Sequence, residues 1–309
     1  MTTNQTSTQG IEATSTKLTA PAWVAILIGS MAPTIVLRLF VPAVPEEPVM
    51  PFWLACAQVA VLAVLWAVTW VWPTVKPLRG LVLALLAFWV GAFSSSFVME
   101  SAAWSNWVEG ASWGVALVAS KLGVHLIPVA LMALTLIGSG IGRRELFLVR
   151  GNPSAPAQPS RLLLLKESRP WNLVARDFLL VYVIITAIVV WQDVRPDVSQ
   201  IPRALVFLPA IVIAAAINAL AEEFQFRSML LSRLEPVVRP GQAILMTAVL
   251  FGSLHYYTGA PSGPVGALVA AFLGWVAAKS MIETRGIVWA FLFHFLADFV
   301  IYAFWAMSA

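Results

Sequence analysis

An all-α polytopic bundle of about eight to ten transmembrane helices is the fold class that this sequence predicts. Of its 309 residues, 60% are hydrophobic and only 11% are charged, whereas a soluble domain carries about a quarter charged residues. Apolar stretches of about 20 residues, each long enough to cross a bilayer, recur from residue 22 to the end with little polar sequence between them. Alternation of the strand type is scarce, so the spans are helical.

Residues 1–21 are rich in Thr, Ser and Gln and lack the basic start and apolar run of a signal peptide, so they read as a disordered cytoplasmic tail. The N-terminal transmembrane part, 22–140, holds candidate spans at 22–43, 52–72, 80–98 and 120–140. The segment 102–118, with Trp104, Trp107, Trp113 and Glu109, is a further candidate, either re-entrant or interfacial. Residues 141–172, with Asn152, Pro153, Pro156 and Pro159, form the longest polar connection and read as a cytoplasmic linker loop. The remainder, 173–309, holds spans at 174–192, 204–232, 242–257, 264–281 and 286–306, the last four forming the core in which chemistry is expected.

Charge sets the orientation. With the N-terminus in the cytoplasm, the inner loops collect Lys17, Lys76, Arg79, Arg143, Arg144, Arg150 and most of the later basic residues, against Lys121, Arg195 and Arg203 outside. The net charge of +4 is thus explained by topology in a cell membrane; no basic run of the kind nucleic acid requires is present. The implied partners are membrane lipid and a peptide or protein substrate, and nothing in the sequence sets an oligomeric state. Cys56 is the single cysteine, which excludes an internal disulfide and a zinc site built on thiolates. No Gly-rich phosphate loop, GxSxG or HExxH occurs.

Ionisable residues are costly in hydrocarbon, by about 2.5 to 3.5 kcal/mol on insertion scales, so those found there are functional candidates. Glu223 and Arg227 are four apart on one helix face, with the acid on the N-terminal side, and form a structural ion pair in this reading. Glu222 lies about 100° around the helix and is left free for chemistry. His255 ends FGSLH, and His294 begins HFLAD with Asp298 one turn on. Counted at 1.5 Å per residue from the inner boundaries, Glu222, His255 and His294 lie at about 16, 21 and 14 Å, near one level of the bilayer. Asn218, one turn before Glu222, either bonds it or bonds across to another helix. His125 belongs to no motif and reads as a packing or interface histidine outside the site.

EEFQFR at 222–227, FGSLH at 251–255 and HFLAD at 294–298 resemble, in order, the EExxxR, FxxxH and HxxxN/D motifs of the CAAX-protease and bacteriocin-processing family, over residues 200–309. The resemblance implies an intramembrane endopeptidase related to the type II CAAX-prenyl endopeptidases. It implies that Glu222 and His255 activate water and that His294 and residue 298 support the oxyanion. This chain has Asp298 where the prenyl endopeptidases have Asn, and an ionised Asp cannot donate to an oxyanion. Three roles stay open for it: orienting His294, donating as a neutral acid, or joining Glu222, His255 and His294 around a divalent metal such as zinc. The cofactor requirement is left open between such a metal and none.

A rhomboid-like serine protease built on Ser262 and His294 fits poorly, because the residue two before the serine is Ala260 rather than Gly. A non-catalytic bacteriocin-immunity or transport protein using the same polar cavity is the alternative from another class.

Overall fold

Proline and polar interruptions divide the apolar sequence into helices, and the computed structural model describes residues 5–40, 51–259 and 262–308, with side chains from Lys17 onward. The first two helices are α1 (Gln5–Ile28) and α2 (Ala32–Phe40), bent by 63° at the break between them. One straight span at 22–43 is thereby corrected. Ser30 supplies the physical reason: its hydroxyl donates to Leu27 O at 2.8 Å and accepts from Ala32 N at 3.0 Å, competing with the helical ladder. The helix also reaches back to Gln5, so the disorder expected over 1–21 gives way to helix in the described part of that stretch, which holds no proline before Pro21. Residues 1–4 and 41–50 of the expected tail and first span lie outside the described residues.

The bundle continues with α3 (Phe52–Val71), α4 (Arg79–Met99), the eight-residue α5 (Ala102–Glu109) and α6 (Trp113–Leu134). The segment 102–118 is thus no separate span: α5 is too short to cross a bilayer, and α6 starts seven residues earlier than expected. Next come α7 (Trp171–Val194), the short α8 (Ile201–Val206) and α9 (Leu208–Glu223). A π-helical turn over Phe224–Ser228 leads into α10 (Met229–Leu234). The last three helices are α11 (Pro240–Thr258), α12 (Gly263–Thr284) and α13 (Val288–Ser308).

Among the described residues seven helical segments are long and apolar enough to span a membrane, or eight if the bent α1–α2 pair is one span. This supports an all-α polytopic bundle; seven spans fall one short of the expected eight to ten, and eight meet its lower edge. The helix expected at 242–257 forms as α11 but is not one of the seven. Its polar residues, among them Gln242, Thr247, Ser253 and His255, make it less apolar, and it packs lengthwise on α12. Close approach there is made by Gly252, where a Cβ would lie 2.6 Å from Ala267 O.

The connection 141–172 is folded onto the bundle. Two residues on each side, Pro156–Ala157 (β1) and Arg169–Pro170 (β2), pair antiparallel. Asn152 N donates to Thr284 O at 2.8 Å, Ile287 N donates to Val149 O at 3.1 Å, and Trp289 Nε1 donates to Pro153 O at 2.9 Å. Gly151, at φ +63°, faces the α12–α13 turn so closely that a Cβ would stand 2.3 Å from Thr284 O. Gly151→Ala is therefore expected to lower stability by about 1 to 3 kcal/mol through strain and clash together. Thermal unfolding in detergent measures it, and an unchanged midpoint would show that the loop is not docked.

Candidate active site

Three helices carry the site. α9 ends with Glu222 and Glu223, α11 brings His255, and α13 brings His294 and Asp298. The π turn begins directly after Glu223 and widens the helix where Arg227 must return to the acid; such turns recur at functional sites. Arg227 Nη1 lies 3.2 Å from Glu223 Oε1, and both side chains are fully buried. The guanidinium stacks over the Phe251 ring at 3.7 Å, and Gly274 makes room for it, since a Cβ there would come within 3.1 Å of Nη2.

Glu222 turns away from that pair. Its Oε2 lies 3.4 Å from His294 Nε2 and 4.0 Å from His255 Nε2. Each ring is held from behind. His255 Nδ1 donates to Phe251 O at 2.9 Å, the backbone carbonyl one turn earlier, which leaves Nε2 as the free nitrogen of a neutral ring. His294 Nδ1 donates to Glu223 Oε1 at 2.8 Å, and its ring meets Phe251 edge-on at 5.7 Å. Glu223 thus serves two partners, Arg227 and His294. The second was not expected, and orienting His294 falls to Glu223 rather than to Asp298, whose Oδ2 lies 3.7 Å from Nε2, beyond hydrogen-bond range.

Asp298 instead accepts from Asn218 Nδ2 at 3.0 Å, and the same amide donates to Glu222 Oε1 at 3.3 Å. Both alternatives left open for Asn218 are therefore realised at once. His125 is a correction: Nε2 lies 3.0 Å from Asn218 Oδ1 and 3.8 Å from Glu222 Oε1, so the histidine read as packing stands against the site. The sequence offered no signal for it, because α6 precedes Glu222 by almost a hundred residues and no motif surrounds His125.

A cavity of about 70 Å³ opens beside these groups, reaching His255, His294 and Asp298 and walled by Tyr182, Val190 and Leu273. It has more than the room that a water molecule needs. Ser262, the rival nucleophile, is exposed at the start of α12. The expected metal ligands, Glu222, His255, His294 and Asp298, do not form a ligand set: among the described residues no group of three or more His, Cys, Asp and Glu could hold a metal ion.

Fold and site together define a polytopic membrane protein with a buried carboxylate and histidine centre. Residues 204–300 match the family described as type II CAAX prenyl endopeptidase Rce1-like, a stretch that runs from the end of α8 through α9, α10, α11 and α12 and into α13. Over that segment the chain is similar to the CAAX-protease family of intramembrane endopeptidases. No curated protein and no solved structure matches the chain.

Proposed function

We propose that this protein hydrolyses a peptide bond of a membrane-associated protein or peptide substrate, with Glu222 as the base that takes a proton from water. One observation carries the reading: Glu222 Oε2 is buried, has no hydrogen-bond partner among the described residues, and faces the Nε2 atoms of His255 and His294. A carboxylate oxygen and an imidazole nitrogen 4.0 Å apart are too far for a direct bond and suitably spaced for one bridging water. Both accept, so a water there would give one hydrogen to each and keep a lone pair for the carbonyl carbon.

The reaction then follows from the groups present. Water oxygen bonds to the carbonyl carbon as Glu222 takes its proton, and the carbonyl π pair moves to oxygen. His294 faces the developing charge through Nε2; to donate there it carries protons on both ring nitrogens, since Nδ1 is committed to Glu223. When the oxyanion collapses, the carbon–nitrogen bond breaks and the proton held by Glu222 passes to the leaving nitrogen. Asp298 accepts from Asn218 and lines the cavity with its Oδ2 3.7 Å from His294 Nε2.

The test of class and substrate is a comparison of membrane peptides, by mass spectrometry, from cells making wild-type protein and cells making Glu222→Gln. Accumulation of an uncut peptide with the variant is expected, and identical profiles would overturn the assignment. The charge asymmetry further supports a cytoplasmic N-terminus and a cytoplasmic loop 141–172. With Cys56 replaced by Ser, a cysteine at Ser154 should resist an impermeant thiol reagent in intact cells and react in lysed ones. Labelling of intact cells would reverse the orientation and the expected side of substrate entry.

A further inference from the structure

We propose that His125, on α6 and outside the segment that matches the family, is a positioning residue that holds the base through Asn218. The inference rests on the reading of Glu222 as the base. His125 and Asn218 are 5% and 6% exposed, so water does not substitute freely for the bonds between them. Asn218 Nδ2 stands 3.3 Å from Glu222 Oε1 and 3.0 Å from Asp298 Oδ2. Carboxylate oxygens accept, so both amide hydrogens are spent on them and the orientation of the amide is determined. Its Oδ1 must then face His125, whose Nε2, at 3.0 Å, must carry the hydrogen.

The consequence is that the two oxygens of Glu222 become different. Oε1 is anchored by Asn218, with His125 Nε2 at 3.8 Å behind it, while Oε2 faces His255 and His294 with no hydrogen-bond partner among the described residues. The same amide sits between Glu222 and Asp298 and gives each negative oxygen a hydrogen. Without His125, Asn218 Oδ1 is a buried acceptor with no donor, the amide is free to rotate, and the carboxylate loses its fixed aim. A base displaced by about 1 Å can cost about 100-fold in rate while leaving distant substrate contacts alone.

Two readouts test this in full-length protein in detergent. The first needs no substrate: nitrogen-15 spectra of histidine-labelled protein should place the His125 proton on Nε2, and Asn218→Ala should shift that resonance. A proton on Nδ1 would overturn the proposal. The second uses, as probe, the synthetic form of the peptide that accumulates with Glu222→Gln. His125→Ala should lower kcat about 10- to 100-fold with KM within about twofold, and His125→Gln, which keeps an N–H donor, should recover most of the loss. The double variant His125→Ala with Asn218→Ala should lose no more than the worse single. Full activity of His125→Ala, failure of His125→Gln to recover it, or additive losses would each sink the relay. Inactive Glu222→Gln beside active His125→Ala leaves the base assignment standing, whereas active Glu222→Gln removes both.

Discussion

Glu222→Gln is expected to abolish peptide cleavage, with kcat reduced by at least about 10²- to 10⁴-fold, the usual contribution of a positioned base. The substitution keeps side-chain size and places an amide where Asn218 and the two histidines already surround the group. Folding and substrate binding should therefore survive, and the loss should fall on kcat. His255→Ala and His294→Ala should be inactive as well, and doubles with Glu222→Gln should lose little more than the singles, because residues acting as a unit are not additive. Purified Glu222→Gln protein that cleaved the wild-type substrate at a comparable rate would end the assignment. If instead the biological effect in cells persisted without cleavage, the polar cavity would be a binding site.

The second large effect is on stability. Glu223 and Arg227 are fully buried as an ion pair, and no guanidinium nitrogen of Arg227 has a hydrogen-bond partner among the described residues. Glu223→Gln keeps an acceptor for His294 but strands the guanidinium, and it should cost about 3 to 5 kcal/mol in thermal or denaturant unfolding, as removal of one member of a buried pair does. Replacing both residues by Met leaves no lone charge and should regain much of that stability. Cleavage should not return with it, because His294 Nδ1 then has no acceptor where Glu223 now receives it. A Glu223→Gln protein with unchanged stability and no activity would move Glu223 from support into the chemistry.

The comparison of sequence and structure divides along the range of the interactions involved. Glu223 with Arg227, and Asn218 with Glu222, lie four residues apart, so helix periodicity alone put each pair on one face, and both contacts form. The convergence of Glu222, His255 and His294 was expected from a shared depth and from three motifs in order, and Glu222 Oε2 stands 4.0 Å from His255 Nε2 and 3.4 Å from His294 Nε2. What escaped were contacts between distant elements. His294 with Glu223 is separated by 71 residues and His125 with Asn218 by 93, and no local pattern encodes such pairings.

The break between α1 and α2, the second partner of Glu223 and the place of His125 share one cause. Whether Ser30 bends a helix depends on what receives the freed groups, and here Trp89 Nε1 bonds Gly29 O at 2.7 Å and Ser253 Oγ accepts from Met31 N at 3.2 Å. Composition, helix period and motif spacing by themselves determined a helical membrane protein, its family segment and the face on which the acids lie, because these depend on solvent and on nearest neighbours along one helix. Which oxygen of Glu222 is free, which ring nitrogen is turned inward and which histidine meets Asn218 were decided only by the packing of α6, α9, α11 and α13, since a hydrogen bond exists only where tertiary structure brings donor and acceptor within about 3 Å.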